Sequence, residues 1–582
     1  MKKRLLLFLS VALMVSSCED MFEPSIENLR GLDDMYEEAE YAQGFLLNGY
    51  ARIPTNGWSF SDMATDDAVS NNRSNNYLKV ATGQWTANNN PFDQWSNSKA
   101  AIQYLNILLQ EGDKVAWAKD ENVSQMFKDR MKGEAYGLRA LFMFHLLQNH
   151  GGWSQSGELL GVPIVLEPEN KDSDFNKPRA TFEECMQQIY SDVKKAEELL
   201  PLDFEGISDE SELPANYSGN MDDYNRVFGQ YARQRMTARI AKAVRAQAAL
   251  LAASPAYNTG NSTTWADAAN YAGEVLDLNG GVNGLDPNGS TWYSNVAEIA
   301  GLAAGINPRE ILWRSDVSED NDLERQHFPP TLYGNGLLNP SQNLVNSFPM
   351  ANGYPITDAS SGFDPSAPYT NRDPRLQRYI LVNGGTAGPG NSNIITAVDG
   401  TTNDALNRVE TSTRTGYYMR KLLRQDVNLN PTTTNRQKHY KPRIRYTELY
   451  LAYAEAANEA WGPMGTGAFG FSAYDVIAAI RKRAGIAQPD AYLESVQSDK
   501  EAMRALIRNE RRLELCFEGF RFWDLRRWNE DLTETARGVR IENENHETIP
   551  VEARVYGSYM NYGPLPYSEV LKFDALSQNV GW

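Results

Sequence analysis

The chain has 582 residues, 23% of them charged and 41% hydrophobic, with 12 Trp, 29 Tyr and 21 Phe; a chain so rich in aromatics is no disordered polymer but a globular protein. Acidic residues outnumber basic ones by 75 to 56, a net charge of -19, and with no run of Lys and Arg this charge repels nucleic-acid phosphates. The longest uncharged apolar stretch, residues 5–15, falls short of the ~20 residues a membrane-spanning helix needs.

Lys2, Lys3 and Arg4 precede that apolar stretch, the charged and apolar regions of a secretory signal. Val15-Ser16-Ser17-Cys18 follows, the pattern that signal peptidase II reads in bacterial lipoproteins. Residues 1–17 are therefore expected to be removed as a signal peptide and Cys18 to carry lipid, which anchors without spanning. Residues 18–582 are expected to form a single domain.

Residues 56–97 are rich in Asn and aromatics and read as a loop excursion. Trp95 enters the helical run 100–109 and reads as core. Between 134 and 147, Ala135, Leu138, Leu141, Phe142, His145 and Leu146 follow helical spacing, and Gly151-Gly152 ends the run. Similar patterns predict helices over 181–200, 231–253, 265–276, 446–461, 472–484 and 500–517. Thr181 is an N-cap candidate, and Pro201 and Pro255 terminate their helices. The Ala-rich face of 238–253 permits close helix approach. Helix pairs with short connectors predict an all-α, tetratricopeptide-like scaffold. Residues 279–441 differ: Gly, Asn, Pro, Thr and Ser crowd them, while Trp292, Tyr293, Tyr333, Tyr354 and Tyr369 argue against disorder. The expected architecture is a helical scaffold displaying loop-rich insertions around 56–97 and 279–441.

No residue pattern points to catalysis. Glu510, Glu514 and Glu518 share helical spacing but are interleaved with Arg508, Arg511, Arg512 and Arg521, as in a structural ion-pair network. The five His show no metal-ligand spacing, and neither a nucleophile elbow nor a phosphate-cradling loop is present. Asp62, Asp66 and Asp67 are Ca²⁺-ligand types, though a solvated acidic loop is the preferred reading. No metal or cofactor is expected. Cys185 and Cys516 are expected to be buried free thiols rather than a disulfide.

Several motifs resemble the SusD/RagB family of outer-membrane nutrient-uptake lipoproteins. Gly133-Glu134-Ala135-Tyr136-Gly137-Leu138-Arg139-Ala140-Leu141 is similar to the family's EARFLRAL helix, and Gly161-Val162-Pro163-Ile164 to its GDVPL. Asn352-Gly353-Tyr354-Pro355-Ile356, Arg372-Asp373-Pro374-Arg375-Leu376 and the 443–456 helix follow. The strongest resemblance is the run IRNERRLELCFEGFRFWDLRRW at 507–528, and Pro564-Leu565-Pro566 with Gln578-Asn579-Val580-Gly581-Trp582 closes the set. Two departures stand out: an insertion containing Trp153 before Gly161, and Val580 where the family usually has Pro. The resemblance implies four tetratricopeptide-like helix pairs with an irregular loop-rich subdomain. It also implies a lipid-anchored protein of the outer membrane, exposed at the cell surface, that captures oligosaccharide and passes it to a SusC-like TonB-dependent β-barrel. Oligopeptide import is the alternative cargo, and a secreted helical glycoside hydrolase a more distant reading.

Sugar rings present C–H faces that lie against aromatic side chains, and their hydroxyls need convergent amide, carboxylate and guanidinium partners. Trp58, Arg73, Tyr77, Trp85 and Asn88 from the first excursion, with Trp292 and Tyr293 from the second, meet both demands. The family's arc of aromatics from these two regions implies glycan contact at those positions. Trp313 and Trp523 read as structural.

Overall fold

Local signals start and stop the helices. In the computed structural model, which describes residues 31–302 and 305–582, the main helices are α1 (Ala39–Ala51), α2 (Trp95–Glu111), α3 (Glu121–His150), α4 (Phe182–Leu199), α5 (Ala238–Ala253) and α6 (Trp265–Asp277), followed after a long interval by α7 (Tyr446–Trp461), α8 (Ala473–Ala484), α9 (Lys500–Glu514) and α10 (Arg521–Arg527). Residues 1–17 and Cys18 lie outside the described residues. Capping boxes begin α4, α6 and α8, where Thr181, Thr264 and Ser472 exchange hydrogen bonds with Glu184, Asp267 and Asp475, satisfying N–H groups that have no partner within the helix. From α1 to α7 each helix packs against the one before it, and α7 then takes both α8 and α9. This is a helix-rich stack of tetratricopeptide-like repeats with few, short strands. The Ala side chains of α5 are buried between α4 and α6, where small residues let helix axes approach.

Three local expectations are corrected. Helix α3 starts at Glu121, capped by Asp120, well before the predicted 134. The predicted helix over 231–253 starts only at Ala238: residues 231–232 close a short 3₁₀ turn, Gln234 is left-handed (φ 70°), and Thr237 caps α5. Helix α9 ends at Glu514, because Phe517 is also left-handed (φ 64°). The insertion before Gly161 closes as a small hairpin pairing Gly152 with Leu160 and Trp153 with Leu159.

Six strands position the loop-rich part: β1 (Ala68–Ser70), β2 (Ile311–Arg314), β3 (Leu338–Pro340), β4 (Pro442–Arg445), β5 (Ala536–Glu542) and β6 (Asn545–Glu552). They pair antiparallel as β1 with β3, β2 with β4 and β5 with β6. Around them lies a second hydrophobic core, separate from the one between the helices, built from side chains such as Trp292, Phe348, Tyr379, Tyr417 and Tyr418. The 279–441 region thus folds over its own aromatic core rather than hanging from the scaffold as loops.

Ion pairs join the two parts and also tie α8 to α9 within the scaffold. Arg375 reaches Glu510 and Glu514, Arg481 reaches Glu510, Arg483 reaches Glu514, and Arg445 and Lys421 reach Glu518. The glutamates sit in a structural network, as their pattern suggests, but these partners come from distant segments rather than from the neighbouring Arg508, Arg511, Arg512 and Arg521. Asp62, Asp66 and Asp67 do not form a solvated loop; all three are buried. Asp66 and Asp67 pair with Arg512, and Asp62 accepts the backbone N–H groups of Phe517 and Gly519. Cys185 and Cys516 are buried free thiols.

Candidate ligand-binding cleft

A cleft of about 760 Å³ opens where the first excursion meets the loop-rich core, within the range of small-molecule sites. One wall is Asn71, Asn72, Arg73 and Ser74; the second is Gln326, Asn335 and Leu337; the third runs from Asn407 through Val409, Glu410, Thr411 and Ser412 to Arg414.

The β1–β3 ladder, with Ser70 opposite Leu338, holds the first two walls in register. Asn71 continues it: its backbone N–H donates to Leu337 O at 3.3 Å, and its Nδ2 donates to Asn335 O at 2.8 Å and Gly336 O at 2.9 Å. The third wall is tied on by Arg414, whose backbone N–H donates to Asn339 Oδ1 at 3.0 Å and whose Nη1 donates to Ser70 O at 2.8 Å and Glu552 Oε2 at 2.9 Å. Gly336 is left-handed (φ 54°), and a Cβ there would lie 2.5 Å from Thr411 O and 2.8 Å from the Tyr418 ring. Only glycine lets the walls meet this closely.

Arg73, Gln326, Asn335, Asn407 and Glu410 are exposed along these walls, presenting guanidinium, amide and carboxylate groups to the cleft. Burial, with the neighbouring Arg73 and Arg554 charges adding to it, lowers the Arg414 pKa. The cleft is therefore polar and rich in hydrogen-bond donors. Tyr333 stands two residues from Asn335, 55% exposed and left-handed (φ 63°). A bulky residue in that conformation is uncommon.

The structure does not bring the predicted site residues together. Of the seven, only Arg73 lines the cleft. Trp85 is 3% exposed, in an aromatic cluster with Phe92, Phe522 and Trp582. Trp292 is 1% and Tyr293 6% exposed, inside the second core beside Tyr440. These three rings have no free face for a sugar, because the cores bury them on all sides. Trp58 is half-buried and stacks on Phe60 at 6.1 Å, while Tyr77 is half-buried with its hydroxyl 3.1 Å from that of Ser59. Asn88 is exposed but lies outside the cleft. Trp95 and Trp313 are core, as expected, and Trp523 is half-buried. Tyr333 is an exposed ring outside the predicted set; its sequence signal is an aromatic between Pro329-Pro330 and Gly334-Asn335-Gly336, a turn-rich setting that holds a ring outside the core.

Residues 309–582 match the family model described as the SusD family, and residues 32–215 match a second, described as starch-binding associating with outer membrane. The chain belongs to the SusD family. This SusD-family chain matches a SusD-like protein from Bacteroides fragilis at 23% identity and a TM-score of 0.70, over 94% of this chain and 98% of that one. A SusD-like carbohydrate binding protein from Bacteroides fragilis matches at 21% identity and 0.69, over 93% and 99%. The surface glycan-binding protein A from Bacteroides fluxus matches at 18% identity and 0.58, over 93% and 99%. No curated protein matches the chain. No helix among the described residues is long and apolar enough to cross a membrane.

Proposed function

We propose that this SusD-family chain is a cell-surface lipoprotein, anchored at the outer membrane through Cys18, that captures oligosaccharide in the Arg73–Arg414 cleft and passes it to a TonB-dependent barrel. The observation that carries this reading is the cleft itself: a volume of about 760 Å³ walled by amide, hydroxyl and guanidinium groups, with the exposed Tyr333 two residues along the chain from its wall residue Asn335. Such walls match the hydroxyl pattern of a sugar chain. The carbohydrate-binding and glycan-binding relatives named above favour glycan over peptide as cargo.

The role is binding without turnover. Hydrolysis of a glycosidic bond needs two carboxyl groups across a cleft, and Glu410 is the single carboxylate among the residues lining this one. Glu510, Glu514 and Glu518 are buried in ion pairs elsewhere.

A glycan-array screen of the protein purified without residues 1–17, followed by calorimetry on the best ligand, tests the reading. Saturable binding that Arg73→Ala weakens, with the ligand's chain length unchanged after incubation, is the expected result. Binding untouched by Arg73→Ala would move the site elsewhere, and shortening of the glycan that tracks the protein through purification would make it an enzyme. Cross-linking and detergent pull-down should recover a large β-barrel partner.

A further inference from the structure

A second, more enclosed chamber of about 170 Å³ lies between α3, residues 54–59, β4 and the turn before α10. It shares no lining residue with the cleft. Its walls are apolar where Leu141, Phe144, Trp313 and Phe520 line it, and cationic where Lys441 and Arg443 do, with the His145 imidazole also on the wall.

The acids of the chamber are already matched. Glu518 pairs with Arg445 and Lys421, Asp524 pairs with Arg511 and Arg527, and Glu448 Oε1 accepts from Gln247 Nε2 at 2.6 Å. The cations at the other end are not. Among the described residues neither Lys441 nor Arg443 has a carboxylate within ion-pair distance; Lys441 Nζ donates to the carbonyls of Thr55 and Gly57, and Arg443 reaches Asn56 Oδ1, Arg314 O and the face of Trp313. Asp316 acts on Arg443 only at longer range. No group among the described residues hydrogen-bonds the His145 imidazole or the Gln148 amide, the two accessible positions on this stretch of α3. Arg511 Nη1 is buried without a partner. Two cations without a carboxylate partner, two half-buried polar side chains without a hydrogen bond and one buried guanidinium N–H without an acceptor thus line one small space, and leaving such a buried donor unpaired is costly.

We propose that this chamber binds a small hydroxylated organic acid, its carboxylate held by Lys441, Arg443 and His145, its hydroxyls by Gln148 and Arg511, and its carbon frame against Leu141 and Phe144. Burial, and then the Arg443 charge, push Lys441 down to about 7, and burial with the Lys441 charge pushes His145 down to about 4. An anion between them relieves both. The volume admits one sugar-sized ring and excludes a chain, so this ligand is separate from the cargo of the cleft.

The test is calorimetry of the protein with glucuronate, glucose and sulfate, on wild type, Lys441→Met, His145→Gln and Arg73→Ala, each checked by a thermal melt. Glucuronate should bind saturably, at least tenfold more tightly than glucose. Lys441→Met should weaken it at least tenfold and His145→Gln about threefold, with no change in Arg73→Ala. Competition by sulfate supports the oxyanion contacts. Should Lys441→Met fail to fold, His145→Gln decides. The proposal is overturned if wild type binds neither anion, if glucose binds as well as glucuronate, or if a folded Lys441→Met or His145→Gln binds like wild type. Loss in Arg73→Ala alone would place the binding in the cleft and also overturn it.

Discussion

Arg375 Nη1 donates to Glu510 Oε2 at 2.8 Å and to Glu514 Oε1 at 2.9 Å, with all three side chains fully buried. This contact welds the Arg372-Asp373-Pro374-Arg375 turn of the loop-rich part to α9, so two motifs far apart in sequence are the two halves of one joint. Burial alone would raise the Glu514 pKa, but Arg483 and Arg375 outweigh it and bring Glu514 to about 2. Replacing Arg375 with Ala leaves Asp373, Glu510 and Glu514 short of a buried partner, and stranding buried charge in this way costs about 3–5 kcal/mol. Denaturant unfolding of Arg375→Ala should show that loss; a change of less than about 1 kcal/mol would mean that water compensates these carboxylates.

The helices were legible because their signals are local. Thr181 with Glu184, and the apolar period from Ala135 to Leu146, act within a few residues of chain. The site was not, because surface and core look alike in a loop-rich sequence. Trp292 and Tyr293 sit in a Gly- and Asn-rich stretch that reads as displayed loop, yet Tyr440, which covers Trp292, lies well over a hundred residues further along. The acidic run Asp62, Asp66 and Asp67 misled for the same reason, since Arg512 supplies its counter-charge from α9. Arg73 lines the cleft, a lone cation among Asn residues with nothing local to pack on.

Glu448 is buried on α7, and burial raises its pKa to about 7 against 4.5 for the free side chain. Its folded value lies above its unfolded value, so between those two the unfolded chain is ionised while the folded one keeps its proton. Stability contributed by the protonated form is therefore full below about pH 4.5, is lost progressively up to about 7 and is flat above. Glu448→Gln removes the titration. Its stability relative to wild type should rise by roughly 1–3 kcal/mol from pH 4.5 to pH 8. Denaturant midpoints of both proteins across that range check it, and a constant difference would mean that folding does not shift Glu448.

Gly336→Ala places a Cβ 2.5 Å from Thr411 O at a left-handed backbone position. It should destabilise by more than about 1 kcal/mol and weaken ligand binding as well, because the same contact closes the cleft. A variant with wild-type melting temperature and wild-type affinity would show that the two walls are free to separate.

Lipid attachment at Cys18 is proposed from Val15-Ser16-Ser17-Cys18 behind a basic, apolar leader. A fatty-acid analogue should label the wild type and not Cys18→Ala, which should leave the membrane fraction. Equal labelling of both proteins would remove the anchor.

Tyr333 and Arg73 should behave oppositely to Trp292 on substitution. Tyr333, two residues from the cleft's Asn335, is 55% exposed, and Trp292 is 1% exposed within the second core. A ring stacked on a sugar removes apolar surface from water at about 25 cal/mol per Å², so a good platform contributes on the order of 1–2 kcal/mol. Tyr333→Ala should therefore weaken oligosaccharide binding about tenfold and leave the melt unchanged, since an exposed side chain contributes little to folding. Arg73→Ala should act in the same direction, through lost hydrogen bonds to the ligand. Trp292→Ala should do the reverse, opening a core cavity that costs about 3–5 kcal/mol while the affinity of whatever remains folded is nearly unchanged. Calorimetry and thermal melts on the three variants separate these outcomes. If Trp292→Ala lost affinity at an unchanged melting temperature while Tyr333→Ala bound like wild type, the sugar would be stacking where the sequence alone pointed, and the cleft at Arg73 would not be the site.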